Sequence, residues 1–383
     1  MSSWAGKYVI GLTGNIAAGK SVVRKMLEHL GAYGIDADAL SHRAIAKGAP
    51  GYQQVVENFG KWVLMESGEI DRPKLGELVF TDEEALAKLE GIVHPLVRQA
   101  IDHLVSKSNQ KVIVIEAIKL LESPLREAVD TIWVTTTDDD TQLKRLREDR
   151  GMSPKNAKAR IAAQSSQGKK VLAADTLIEN SGSYESTWKQ VQSAWVTQFP
   201  KEAEEASAPV EVAKVKTGSL QNLSVLRARP KQSEQIASLI NRISGGGRSV
   251  TSFDIMAAFG EKAFMLLMLE DNLVGVLGWK VENLVARTDE VYLDDTVRMQ
   301  DAIPFLMGAV DNSSVELQCE ASLIFVSPAM AKEKETWKTM GYENRKVESL
   351  SVNAWQAAAK ESQADGTVML FKQLRVDRVL KPI

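Results

Sequence analysis

From residue 8 onward, short runs of β-branched and aliphatic residues recur between stretches of helical periodicity, and those at 8–12, 34–36, 112–115, 131–134 and 176–178 read as strands. Such alternation predicts a parallel sheet wrapped by helices over residues 1–198, an α/β unit. Val22, Val23, Met26, Leu27 and Leu30 form the apolar stripe of its first helix, which stops at Gly31. Residues 199–222 change character, to Lys-Glu-Ala-Glu-Glu-Ala-Ser-Ala-Pro and then Lys-Val-Lys-Thr-Gly-Ser, with little to bury, and read as a linker. A second unit, 223–383, opens with a strand at 224–227 and a helix carrying Ile236, Leu239, Ile240 and Ile243 on one face. Strand candidates at 264–269, 273–280 and 290–293, the first two joined by the turn Glu270-Asp271-Asn272, make this an antiparallel α+β pattern.

Composition narrows the function classes. At 383 residues the chain exceeds what one core usually supports, and 44% apolar with 25% charged residues is the balance of packed domains. A net charge of -3 offers no field to attract a nucleic-acid backbone. One cysteine, Cys319, excludes an intramolecular disulfide and a multi-cysteine metal site. No stretch is long and apolar enough to span a bilayer, and the expected location is the cytoplasm.

The sharpest chemical signal is Gly14-Asn15-Ile16-Ala17-Ala18-Gly19-Lys20-Ser21, which satisfies G-x-x-x-x-G-K-[ST] between a strand and a helix. Successive backbone N–H groups and the positive end of the helix cradle polyphosphate, so ATP is the expected ligand. Lys20 then reaches the β- and γ-phosphates and the Ser21 hydroxyl binds magnesium. A turn that merely contains Gly and Lys would lack this pair of flanks. Two carboxylates follow at the carboxyl end of the second strand, Asp36 and Asp38. Asp38 is the candidate base for an acceptor hydroxyl, the alternative being that one carboxylate caps a helix beginning at Ala39. Glu116, ending the third strand candidate, sits where P-loop proteins hold magnesium through water, or else starts a helix.

Together with Gly48-Ala49-Pro50, His94-Pro95, Leu120-Leu121-Glu122 and Asn180-Ser181-Gly182, the motifs Leu12-Thr13-Gly14 and Ile35-Asp36-Ala37-Asp38 resemble the dephospho-CoA kinase family over residues 8 to about 198. The resemblance implies transfer of the ATP γ-phosphate to the ribose 3′-hydroxyl of dephospho-CoA, with Asp38 as base. It implies nucleotide contacts from residues 14–22, including Val22, and from Arg150 and Asn180, with Arg145 stabilising the transferring phosphoryl group. Acceptor contacts fall on Asp36, Asp38, Arg72 and His94, a helical CoA-binding insert on 40–110 and a lid on 141–164. Asn15, Ala17 and Ala18 stand where that family has glycines and a serine, and Asp149-Arg150 inverts the usual order. Another small-metabolite kinase, or a regulatory protein that holds ATP or CoA without turnover, remains an alternative.

Residues 223–383 resemble the GNAT acetyltransferase fold, through Leu273-Val274-Gly275-Val276 and Trp337-Lys338-Thr339-Met340-Gly341-Tyr342. That fold binds acyl-CoA pyrophosphate on a glycine-rich loop. The corresponding stretch, 294–301, has no glycine and carries Asp294, Asp295 and Asp301, which points to a degenerate module with a role in assembly or regulation.

Overall fold

The first strand, β1 (Tyr8–Thr13), is buried from Val9 onward. This is the environment of a central strand in a sheet covered on both faces. The computed structural model describes residues 3–148, 151–162, 164, 167–207, 211–214, 223–245, 247 and 249–375. After β1 come α1 (Lys20–His29), β2 (Tyr33–Asp36), four helices, and β3 (Val112–Glu116). The four are α2 (Ala37–Ala44), α3 (Tyr52–Phe59), α4 (Arg72–Thr81) and α5 (Glu83–Lys107). Then follow β4 (Thr131–Thr136), α6 (Asp139–Glu148), α7 (Pro154–Ala162), α8 (Gln167–Leu172), β5 (Thr176–Glu179) and α9 (Tyr184–Gln198). The strands pair in the order β2-β3-β1-β4-β5, all parallel.

β1 is therefore central, and its carboxyl end lies between those of β3 and β4, at the sheet edge where α/β proteins bind ligands. Register aligns Glu116 with Leu12 on one side and with Asp36 on the other, so the ends of β2, β3 and β1 are level. Between β2 and β3 the chain is helical, as the family resemblance implied. Asp71 and Asp82 cap α4 and α5, and Ile92, Val93, Val97, Ala100, Ile101, Leu104 and Val105 of α5 line the core shared with Val9, Ile35 and Ile113.

The segment read as a linker contains regular structure. It carries α10 (Pro200–Ser207) and β6 (Glu211–Lys214), the latter paired antiparallel with β7 (Leu223–Arg227). β6 is the edge strand of its sheet, a position where charged side chains are common, so a low apolar content does not exclude it. Residues 208–210 and 215–222 lie outside the described residues.

The second sheet continues through α11 (Ser233–Ile243), α12 (Ser252–Ala258), β8 (Ala263–Leu269), β9 (Asn272–Glu282), β10 (Val285–Leu293), α13 (Met299–Glu316) and β11 (Ala321–Val326). It closes with α14 (Pro328–Ala331), α15 (Lys334–Thr339), β12 (Glu343–Asn344), α16 (Asn353–Ser362) and β13 (Val368–Gln373), in the order β12-β13-β11-β10-β9-β8-β7-β6. It is mixed rather than purely antiparallel, because α13 carries the chain back so that β10 and β11 pair parallel. β10 also starts five residues before the strand read from the sequence. The turn that allows this is Asn283-Leu284, both left-handed (φ 51° and 61°), a two-residue hairpin with no glycine to announce it.

The two sheet units share an interface. Arg43 Nη2 pairs with the fully buried Glu320 at 2.6 Å, and Arg43 Nη1 donates to the Asn283 carbonyl at 2.7 Å. Lys25 Nζ donates to the Val281 carbonyl at 3.1 Å, and His29 Nε2 lies 2.8 Å from the Phe259 carbonyl. Leu284 and Leu317 pack on the core beneath α2 and α5.

Candidate active site

Glycine is required at both ends of the loop between β1 and α1. A Cβ on Gly14 would sit 2.3 Å from the Thr135 carbonyl oxygen, and one on Gly19, at φ 86°, would sit 1.8 Å from Asn180 Nδ2. The non-glycine residues between them are accommodated unequally. The left-handed conformation falls on Ala17 (φ 57°) and not on Asn15, so the smallest side chain carries the strain. Gly19 is the N-cap of α1 and supplies no side-chain cap, which leaves the first-turn N–H groups facing the loop. Lys20, 6% exposed, donates from Nζ to the Asn15 carbonyl at 3.3 Å across the cradle. These features fit a polyphosphate: narrow, lined by N–H groups and closed by one ammonium.

Ser21 Oγ donates to Glu116 Oε1 at 2.9 Å, while Glu116 Oε2 accepts from Arg24 Nε at 2.8 Å. A hydroxyl and a carboxylate oxygen at the mouth of a phosphate loop suit magnesium, a hard cation that prefers oxygen and usually shares its shell with phosphate and water. Among the described residues no group of three or more His, Cys, Asp or Glu could hold a metal. A magnesium here would depend on the nucleotide for the rest of its ligands. Arg24 extends from Glu116 to Glu28, whose Oε1 accepts from Nη1 at 2.6 Å, and Lys25 Nζ reaches Glu28 Oε2 at 3.0 Å. Burial opposes ionisation of Glu28, but Lys25 and Arg24 outweigh it and hold the carboxyl down at about 2.

The two aspartates divide their roles. Asp36 is the N-cap of α2, its Oδ1 accepting from the Ala39 amide at 2.8 Å. Asp38 Oδ2 accepts from the Ile118 amide at 3.1 Å. Burial first, then the neighbouring Asp36 charge, raise the Asp38 carboxyl to about 6, against the pull of Lys20 and the Ile118 amide. Burial and Glu116 raise Asp36 as well. A carboxylate poised near neutrality and held by one backbone bond suits proton acceptance.

On the opposite side, Arg145 on α6 donates from Nη1 to the Ala17 carbonyl at 3.2 Å and from Nη2 to the Asn180 carbonyl at 2.8 Å. The Asn180 amide donates to the Ala18 carbonyl at 2.9 Å and accepts from Thr187 Oγ1. Arg145 and Asn180 thus close on the loop from α6 and from the residue that follows β5. Sequence reasoning missed Lys170 on α8. Only 1% exposed, it donates from Nζ to the Ile118 carbonyl at 3.0 Å and to the Gly14 carbonyl at 3.4 Å. Burial, then Lys20, lower its pKa. Beside Lys169 it had the signature of a solvated pair, with no apolar periodicity to mark burial. Gln142, 1% exposed, was missed as well; its Nε2 donates to the Ile16 carbonyl.

The remaining expected residues lie farther out. Arg72 opens α4 on an exposed surface and lowers the pKa of His42, itself depressed mainly by burial. His94 is half-buried in the middle of α5, immediately before Pro95. Arg150 lies outside the described residues. A cavity of about 340 Å³ opens beside the carboxylates, walled by Ser21, Arg24 and Asp36 and, from the second unit, by Glu282 and Leu284.

A family model for dephospho-CoA kinase matches residues 8–186. The dephospho-CoA kinase of Geobacillus kaustophilus is 44% identical over 185 residues, 48% of this chain and 92% of that protein. That of Geobacter sulfurreducens is 36% identical over 195 residues, 50% of this chain and 99% of that one. Among solved structures, the dephospho-CoA kinase from Campylobacter jejuni aligns with 52% of this chain and 99% of its own at 28% identity and a TM-score of 0.38. A GNAT-family acetyltransferase from Staphylococcus aureus aligns with 40% of this chain and all of its own at 12% identity and a TM-score of 0.33.

Proposed function

Through its amino-terminal half the chain belongs to the dephospho-CoA kinase family, and we propose that it transfers the γ-phosphate of ATP to the ribose 3′-hydroxyl of dephospho-CoA, the last step of coenzyme A synthesis. The observation that carries the reading is the Ile118 peptide segment, whose amide holds Asp38 and whose carbonyl accepts from Lys170, itself bonded to the P-loop at Gly14. Donor and acceptor machinery are fixed to one point of backbone.

In this reading Asp38 takes the proton of the 3′-hydroxyl as its oxygen bonds to the γ-phosphorus, and the bond to the β-phosphate oxygen breaks in line, releasing ADP. Lys20 neutralises charge on the β- and γ-phosphates, and Arg145, turning from the Ala17 carbonyl to the nucleotide, adds a second positive group. Asp36 fixes the start of α2 and so the direction of Asp38. Ser21 and Glu116 are the residues that would hold magnesium, which would supply positive charge against that developing on the phosphates. Arg72 and His94, on the helical insert, are the acceptor-side contacts in this scheme.

The test is ADP formation from ATP and dephospho-CoA by the whole protein and by Lys20→Ala. Turnover by the wild-type chain that Lys20→Ala abolishes supports the reading, and full turnover by Lys20→Ala contradicts it.

A further inference from the structure

We propose that the carboxy-terminal unit is a positioning element of the kinase site, acting from the Val281 carbonyl through Lys25, Glu28 and Arg24 onto Glu116 and Ser21. The inference rests on the kinase reading of that site and adds to it a role for the second sheet.

The face of α1 that carries Ser21, Arg24, Lys25 and Glu28 has the spacing of one helical surface. A helix ordinarily turns such a polar face to water. Here Arg24 and Lys25 are each 8% exposed, and the Glu28 side chain retains 12%. Burying three charged groups is costly unless each finds partners. They do so in one unbroken series. Glu116 accepts from Ser21 and Arg24, Glu28 accepts from Arg24 and Lys25, and Lys25 donates onward to Val281 at the end of β9. Four side chains therefore connect the second sheet to the hydroxyl that opens the phosphate site.

The hairpin that supplies Val281 is held in a conformation of its own. Leu284, a bulky residue at φ 61°, occupies a region that L-residues with side chains avoid. Its side chain packs into the amino-terminal core, and the Asn283 carbonyl accepts from Arg43. Such a turn persists where surrounding contacts over-determine it. The tip is thus seated by the kinase half, while its upstream carbonyl orders that half's charged helix face.

Lys25 and Glu28 are positioning residues here and touch no reacting atom. Lys25→Met removes the donor to both Glu28 and Val281 but keeps the apolar stem, and Lys25→Arg restores a donor. Outer-shell partners of metal-associated groups typically account for 10–100-fold in activity or affinity, so Lys25→Met should lower kcat about tenfold and leave KM for dephospho-CoA nearly unchanged. By calorimetry, the gain in ATP affinity on adding magnesium should shrink by a similar factor. Hydrogen exchange should quicken in the first turns of α1 in the metal-free, nucleotide-free protein. Lys25→Arg should recover most of each effect, and Asn353→Ala, which loses only the exposed contact to Glu69, should match wild type.

A Lys25→Met protein with wild-type kcat, magnesium effect and exchange would overturn the proposal. A lower melting temperature with the other readouts unchanged would overturn it too, since that is a purely structural role. Wild-type protein inactive on dephospho-CoA would instead remove the kinase reading, and the calorimetric and exchange arms would still decide whether the series orders α1.

Discussion

Lys170 Nζ donates to the carbonyl of Ile118 at 3.0 Å, and the amide of that same Ile118 donates to Asp38. A buried cation is in this way joined to the candidate base through a single residue. The same ammonium is bonded to Gly14, so it ties the P-loop to the peptide that holds Asp38. Lys170→Met should reduce kcat by about 10²-fold, the scale of losing one preorganised donor. Part of any fall in stability comes from the buried Gly14 carbonyl losing this donor, whereas the Ile118 carbonyl still accepts from Thr13 Oγ1. Comparing kcat at equal ATP occupancy separates the two. Unchanged kcat at equal occupancy would remove Lys170 from the site.

Asp38 carries a cost that pH should reveal. Its folded pKa of about 6 lies above the unfolded value near 3.9, so its contribution to stability is fully present below the unfolded value and is lost as pH rises through 6. Asp38→Asn does not titrate. The variant should melt above wild type at pH 8, by roughly 3–6 °C, with the gap closing by pH 4, while phosphoryl transfer is lost. In the wild type kcat/KM should fall below pH 6 as the base protonates. Thermal unfolding at the two pH values measures the first effect. A gap that does not change between them contradicts the assigned environment of Asp38.

The P-loop was legible because its chemistry is written in consecutive residues, and its flanking strand and helix could be read beside it. The Asp36 and Asp38 pair was legible as a pair, but which one caps the helix depended on where α2 begins, one turn of backbone that periodicity does not resolve. Arg24, Lys25 and Glu28 were invisible as buried groups. Their neighbours Val23, Met26 and Leu27 form the expected apolar stripe, and a charged opposite face reads as solvated unless a second unit is known to cover it. The Asn283-Leu284 turn was missed for a related reason, since the left-handed backbone that normally selects glycine is imposed there by tertiary contacts.

The second unit is expected to have no acetyl-transfer activity. Asp294, at the end of β10, is 5% exposed, accepts from the Thr296 amide at 3.0 Å and pairs with Arg242. Its carboxylate therefore occupies a loop amide, and the adjacent Asp295 charge would repel a pyrophosphate, whereas Asp301 is paired with Arg298. Incubating the whole protein with acetyl-CoA and a panel of amines should release no free thiol above background. Steady thiol release dependent on an amine would show an acyl-CoA site in the second sheet.

The most direct test of the central claim is the position of the phosphate in the product. Whole protein, ATP, magnesium and dephospho-CoA should yield ADP and one new phosphomonoester, coupled in ³¹P–¹H NMR to the ribose 3′ proton, with adenosine and other nucleosides giving none. A phosphate at any other position, equal turnover of a nucleoside, or ATP bound with no product formed would contradict it.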